Sequence, residues 1–356
     1  MSFTSALDTP LPIATSAPRD DRAVRIWLYV VCAMVVAMVV IGGATRLTDS
    51  GLSITEWAPL RGAIPPLNPA DWLAEFDRYK QTTEYQTVNA GMTLDQFKFI
   101  YWWEWGHRQW GRLIGVVFIV PFVFFWATGR LAGWLKPRLL VLLFLGGTQA
   151  FVGWWMVASG LVNRVDVSQY RLAAHLTLAC VIFAYALWLA RSLVSRTEPD
   201  AAVAGRSVVL ILLVLTQIAL GAFVAGLDAG MVYNTWPLMD GALVPQGLVP
   251  SGDVTRDAFE DAKTVQFVHR TGAYILLLAA WAHAIWTWVS APIHRWGALV
   301  VALLVTGQAA IGIAALVTQV RMDWALAHQL GALVVLGFAV AHARRAVPLH
   351  GKRAIA

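Results

Sequence analysis

The sequence predicts an all-α integral membrane protein of eight transmembrane helices, arranged as two tandem pseudo-symmetric four-helix bundles. Three observations predict it. Of 356 residues, 58% are hydrophobic and only 13% charged, where soluble domains carry about 25% charged residues. Stretches free of Asp, Glu, Lys and Arg cover 26–45, 113–129, 139–163, 172–190, 207–227, 271–294, 296–320 and 324–343, and a helix needs roughly 20 apolar residues to cross the hydrocarbon. The second half of the chain also repeats motifs of the first in the same order.

The even number of spans puts both termini on one side, and the short connections say which. Those after spans 2, 4 and 6 carry Arg130, Lys136, Arg138, Arg191, Arg196, Arg206 and Arg295, whereas those after spans 3 and 7 carry Arg164, Arg171 and Arg321. The positive-inside rule makes the first set cytoplasmic. Arg19, Arg22 and Arg25 before span 1, and Arg344, Arg345, Lys352 and Arg353 after span 8, agree. The expected location is the inner (plasma) membrane, multi-pass, with both termini cytoplasmic. The net charge of +6 is therefore topology, and with no basic face interleaved with exposed aromatics, no nucleic acid is expected as a partner. The lipid bilayer is. Cys32 and Cys180 lie at lipid depth as free apolar thiols. Residues 1–24 lack a long apolar run and read as a cytoplasmic tail.

Span 1 leads into a long outer segment. Within it, Asn68-Pro69 starts a short helix reaching about Gln81, with Trp72, Leu73, Phe76 and Tyr79 on one apolar face; such a helix suits the membrane surface. Thr93 with Gln96 is a capping box opening the helix of span 2. Tyr101, Trp102, Trp103 and Trp105 form an interfacial aromatic belt.

The repeat is carried by four pairs of motifs. Gly42…Asp49-Ser-Gly51…Trp57 has the spacing of Gly221…Asp228-Ala-Gly230…Trp236. His107-Arg108 answers to His269-Arg270, and Gln149-x-x-x-Gly153 to Gln308-x-x-x-Gly312. Ala173-Ala174-His175-Leu176 answers to Leu326-Ala327-His328-Gln329. The domains read as a tail 1–24, a bundle 25–190, a cytoplasmic linker 191–206, a second bundle 207–345 and a tail 346–356.

His107, His175, His269 and His328 each lie in the first turns of an even-numbered span, so they share a depth near the outer face. Ionisable residues inside a membrane are functional by default. Two imidazoles facing each other across each bundle make a bis-His haem site, with the iron between them. Zinc or copper would want three or four clustered ligands. Arg108 and Arg270 suit a haem propionate or snorkel to the interface; the sequence leaves both open.

The halves differ at one position. Glu104 stands three residues before His107, where Gln266 precedes His269. Three apart is one helix face, so the carboxylate and the imidazole are expected to face one site. Glu104 is the candidate acid or base, or else a hydrogen-bonding partner. His283 and His342 stand fourteen residues after His269 and His328, about 21 Å along a helix. They form either a second pair or ordinary interfacial residues; the first bundle has Pro121 and Leu189 there. His294 and His350 fall in polar segments and receive no role.

These residues resemble the haem A synthase family, over about 25–345. The most specific pieces are TRLTDSGLSITEWAPLRGAIPPL (45–67), the Glu104-x-x-His107-Arg108 block, NTWPLMDG (234–241) and the four repeated histidines. The resemblance implies oxidation of a ring methyl of haem O to a formyl group through successive hydroxylations, giving haem A for cytochrome c oxidase. It implies haem b as cofactor on His269 and His328, haem O as substrate on His107 and His175, and Glu104 as the essential glutamate. Haem O synthase and cytochrome oxidase assembly factors are the implied partners, with a homo-oligomer as a further possibility. The outer loops carry no cysteine pair, so the chain is similar to the cysteine-free type. The competing readings are a bis-His cytochrome b-type electron carrier, quinol- or ferric-linked, and a transporter with duplicated halves. Glu104 opposite Gln266 argues against the first. Charged residues at span ends rather than at mid-bilayer argue against the second.

Overall fold

The computed structural model describes residues 21–58, 61–161, 165–194 and 197–348. Residues 1–20 with Arg19, positions Arg164 and Arg196, and the end from 349 with His350, Lys352 and Arg353 lie outside the described residues. Among the described residues the chain is helical, without named strands, and eight helices are long and apolar enough to span a membrane. These are α1 (Arg22–Leu47), α4 (Leu94–Ala127), α5 (Leu135–Gly160), α6 (Gln169–Ser192), α7 (Ala201–Gly226), α9 (Ala262–Ser290), α10 (Arg295–Val317) and α11 (Met322–Arg345). Between them stand the short helices α2 (Pro69–Tyr79), α3 (Thr83–Thr87) and α8 (Val254–Glu260).

Local chemistry sets the boundaries. Asn68 caps α2 by accepting from Asp71 N–H at 2.9 Å, with Pro69 at the first helical position. The Thr93–Gln96 capping box is formed in both directions. α1 and α7 end alike, each on an aspartate in the left-handed region, Asp49 and Asp228, both at φ 48°; aspartate is among the few side chains that tolerate this backbone. Two expectations shift. α7 begins at Ala201 with Asp200 as its cap, inside the segment read as linker. Leu73 is half exposed, so the buried face of α2 is Phe76 and Tyr79, with Trp72 packed beside them.

Helices α1, α4, α5 and α6 contact one another in a closed ring, and α7, α9, α10 and α11 close a second; α1, α6, α7 and α11 meet across the boundary. Glu198 and Asp200 N–H donate to the carbonyls of Arg345 and Ala346, which fastens the link between the halves to the end of α11. The end of the helices carrying Arg22 and Arg345 is hereafter the terminal end, and the opposite one the loop end. The continuous apolar core lies toward the terminal end. It runs through Val24–Val39 of α1, Phe118–Phe125 of α4, Ala179–Ala190 of α6, Leu276–Ala284 of α9 and Leu333–Val340 of α11. Beyond it, the loop-end halves of the same helices carry the four repeated histidines.

A second cluster covers the first half at the loop end. Phe76, Tyr79, Phe97, Ile100 and Tyr101 bury one another, so α2 and the segment after it fold onto the extension of α4. The acidic run of the other long loop is spent on local structure. Asp253 caps α8, Asp261 caps α9, and Asp257 accepts from Ser251 N–H and Oγ at 2.8 Å.

Candidate functional site

The four histidines come together as two pairs. His107 on α4 and His175 on α6 stand on opposite helices of the first ring, and His269 on α9 and His328 on α11 on opposite helices of the second. Each of the four imidazoles is half-buried.

Each ring packs closely against a glycine of the preceding spanning helix. A Cβ on Gly42 would stand 3.1 Å from His107 Nε2, and one on Gly221 3.1 Å from His269 Cε1. On Gly153 it would come within 2.8 Å of His175 Cε1, and on Gly312 within 2.6 Å of His328 Cε1. Distances under 3.0 Å exclude any side chain without displacement of the ring. The glycines of the repeat are thus places cleared for imidazoles.

Three of the four rings have an amide beside them. Nε2 of Gln149, Gln217 and Gln308 lies 3.2, 3.0 and 3.0 Å from Nδ1 of His175, His269 and His328. The same nitrogen donates to the backbone carbonyl of that histidine at 3.1, 2.9 and 2.7 Å. Each glutamine stands one helical turn before the glycine that backs its histidine, so one helix presents both to the ring. The fourth position of this pattern, four residues before Gly42, is Met38. His107 therefore lacks the amide that the other three share.

These residues fit a haem iron held by imidazole pairs. A ligating imidazole presents one bare nitrogen to the metal and carries its proton on the other, which needs an acceptor. The glutamine beside His175, His269 and His328 can meet either state. Its N–H can donate to a bare Nδ1, and its Oε1, buried without a partner in Gln149, Gln217 and Gln308, can accept from a protonated one. Buried amide oxygens are rarely left unpaired without a reason.

Glu104, three residues before His107 on α4, makes its hydrogen bonds to a loop. It is 2% exposed and its carboxylate binds the loop after α1. Oε2 accepts from Ile54 N–H at 2.7 Å and Ser53 Oγ at 2.8 Å, while Oε1 accepts from Arg108 Nη2 at 2.6 Å and Nε at 3.1 Å. Arg108 continues to the carbonyls of Ile54 and Glu56 at 2.8 and 3.1 Å. In the other half, Gln266 Nε2 donates to the carbonyls of Ala229 and Tyr233 at 2.8 and 3.1 Å, and its Oε1 accepts from Arg270 Nη2 at 3.3 Å. Arg270 reaches the carbonyls of Thr235 and Tyr233 at 2.9 and 3.0 Å. Both arginines thus clasp the loop that follows the first helix of their half. Arg270 Nε, unlike that of Arg108, is buried without a partner.

The two histidine pairs are bridged across the boundary. Gln329, next to His328, donates to Val39 O at 3.1 Å, close to Gly42 where His107 rests. Arg46 binds Ala225 O and, at 2.6 Å, Asp228. The tertiary structure thus adds Gln217 and Met38 to the residues picked out from sequence, and gives Gln329, already singled out in the His328 motif, a partner in the other half. Gln217-x-x-x-Gly221 is the same motif as Gln149-x-x-x-Gly153, so the signal for it was present.

Comparison with known proteins agrees. Residues 25–340 match the family described as "Cytochrome oxidase assembly protein". The chain is 58% identical over 338 residues to the haem A synthase of Chelativorans sp. (strain BNC1), covering 94% of each chain. It is 53% identical over 345 residues to that of Allorhizobium ampelinum, again covering 94% of each. The haem A synthase of Brucella ovis is 53% identical over 333 residues, covering 92% of each. A match across nearly the whole length makes this protein a member of the cytochrome oxidase assembly family to which these haem A synthases belong.

Proposed function

We propose that the chain oxidises a ring methyl of haem O to a formyl group through successive hydroxylations, making haem A for cytochrome c oxidase. The observation that carries this reading is the pair of imidazoles in each half, backed by glycine, in a member of that family. His107 and His175 would hold the haem O substrate, and His269 and His328 would hold haem b as cofactor. When bound, haem b supplies a one-electron redox centre. Three features distinguish the first half as the reacting one: a carboxylate where the second has an amide, a methionine where the other rings have a glutamine, and an aromatic cover.

The protein's own groups have definable tasks. His107 and His175 orient the substrate by its iron. Gly42 and Gly153 give the rings room, and Gln149 fixes one of them. Glu104 is the base or water-positioning group nearest to His107 in sequence. In this structure it holds the 53–56 loop with Arg108, so its part in the reaction requires that clasp to loosen or to position the group from behind. Arg108 and Arg270 hold the loops over the two sites, and the free Nε of Arg270 is the donor left for a propionate. The protein lies in the inner membrane with both termini cytoplasmic, receives haem O from a haem O synthase, and hands haem A to oxidase assembly factors.

The test is chromatography of the haems extracted from protein purified from cells that supply haem O, wild type beside His107→Ala and Glu104→Ala. Haem A or its hydroxylated precursor in wild type, lost in both variants, is expected. Haem b alone in all three would replace the enzyme with an electron carrier.

A further inference from the structure

At the terminal end of the second half three histidines gather that the reaction site does not use. His283 on α9 and His342 on α11 meet with Nε2 atoms 3.0 Å apart, and the ring of His294, in the turn before α10, lies 6.2 Å from that of His342. All are buried: His294 is 1% exposed, with both ring nitrogens unpartnered, and His283 leaves Nδ1 unpartnered. The sequence gives His294 no role because its neighbours are polar; the turn at Pro292–His294 folds it under α11.

Beside them a cavity of about 280 Å³ opens between α10 and α11. His294 and His342 are its buried polar lining, exposed Trp296 and Phe338 its aromatic walls, and exposed Arg345 its charged rim. Gly297 keeps it open, since a Cβ there would stand 2.5 Å from His342 Nδ1.

The contents of such a cavity can be narrowed. Among the described residues no three His, Cys, Asp or Glu side chains are grouped to hold a metal ion. A second bis-His haem would need its two nitrogens about 4 Å apart, given metal–imidazole bonds of about 2 Å, and a far larger space than this one. A single ring with carbonyl oxygens fits. It would take a hydrogen bond from an imidazole N–H, stack on aromatic walls, and enter from the lipid. Small-ligand sites combine apolar walls with a few placed polar groups in this way.

We propose that this groove binds the ring of a membrane quinone, with His342 donating to a quinone carbonyl and His283 behind it, and that the quinone is the electron acceptor of the reaction. The second clause rests on the haem O reading above. The balance closes: methyl, water and quinone give hydroxymethyl and quinol. A second hydroxylation consumes another water and quinone, and the resulting gem-diol loses water to the aldehyde. Each quinone takes two electrons and two protons, and the His342–His283 hydrogen bond lies where those protons arrive. His283 and His342, behind and within the groove, stand on the same two helices as His269 and His328, about 21 Å further along.

The experiment uses the haem-loaded protein in lipid nanodiscs. A photo-reactive azido analogue of short-chain ubiquinone is cross-linked and the labelled peptide identified. Reduction of the bound haem by decylubiquinol is followed anaerobically. Label on 294–300 or 338–345 that excess decylubiquinone displaces, with haem reduction at least tenfold slower in His342→Leu and in Val300→Trp, is expected. Val300 is an exposed wall residue, so filling the groove from it does not disturb the buried histidines. Dithionite should reduce all three proteins alike. No displaceable label in the groove, or haem reduction as fast in Val300→Trp as in wild type, overturns the proposal. If quinol reduces the haem through the groove but no haem A is formed, the quinone site stands and the haem O reading fails. If haem A is formed without groove labelling, the reverse holds.

Discussion

Glu104 and Gln266 hold matching loops with opposite hydrogen-bond polarity. Glu104 accepts from the Ile54 amide and the Ser53 hydroxyl, whereas Gln266 donates to the carbonyls of Ala229 and Tyr233. The exchange of carboxylate for amide between the halves is thus matched by the backbone each meets. Glu104→Gln keeps the size but puts its NH2 against donors, either the Ile54 amide and Ser53 hydroxyl or the Arg108 guanidinium. The expected result is loss of haem A in extracts and faster amide exchange over 53–57, with the rest of α4 protected as before. Unchanged exchange with lost haem A would assign Glu104 to chemistry alone.

Arg108 is the other half of this clasp, and its side chain is 16% exposed. Removing one partner of a buried ion pair costs about 3 kcal/mol or more, so Arg108→Ala should open the loop at least as much as Glu104→Gln. Limited proteolysis between 50 and 67 is the readout.

The glycines predict a graded series. Gly312→Ala and Gly153→Ala bring a methyl within 2.6 and 2.8 Å of His328 and His175, whereas Gly42→Ala and Gly221→Ala leave 3.1 Å. Haem content, read from the Soret absorbance of purified protein, should fall severalfold in the first two and by less than half in the second two. Equal losses in all four would mean that ring contact is not the cause.

Met38→Gln would complete at His107 the amide contact the other three rings have. A ring fixed on one tautomer should hold its haem more tightly. The expected outcome is more haem retained in the first half through purification and slower release of product, measured by haem stoichiometry and single-turnover chromatography.

Glu84 supplies a pH dependence. Burial pushes its carboxyl up to about 7, although the Tyr79 hydroxyl donating to it at 3.1 Å works the other way. The folded cover therefore binds a proton that the unfolded segment, near the ordinary 4.5, has already lost. Its stability is greatest below pH 4.5 and falls as pH rises toward 7. Amide protection over 76–101, corrected for the intrinsic pH dependence of exchange, should fall across that window in wild type and lose that dependence in Glu84→Gln.

Much of this architecture was legible in the chain itself. A run of some 20 apolar residues has no alternative in lipid but a helix, because every backbone group must be satisfied within it. The eight spans, the capping box at Thr93 and Gln96, and the four histidines at one depth follow from that and from spacing. So does the likeness of Asp49 and Asp228, which the backbone repeats at φ 48°. The tertiary structure decided what spacing along one helix cannot express. Which glycine backs which histidine, and which glutamine reaches it, depend on how neighbouring helices rotate and approach. A residue three before a histidine shares its helix face, yet Glu104 turns to a loop because two donors and an arginine wait there. His294 looks like a solvent residue among polar neighbours, and only the fold of the turn around it buries it beside His342.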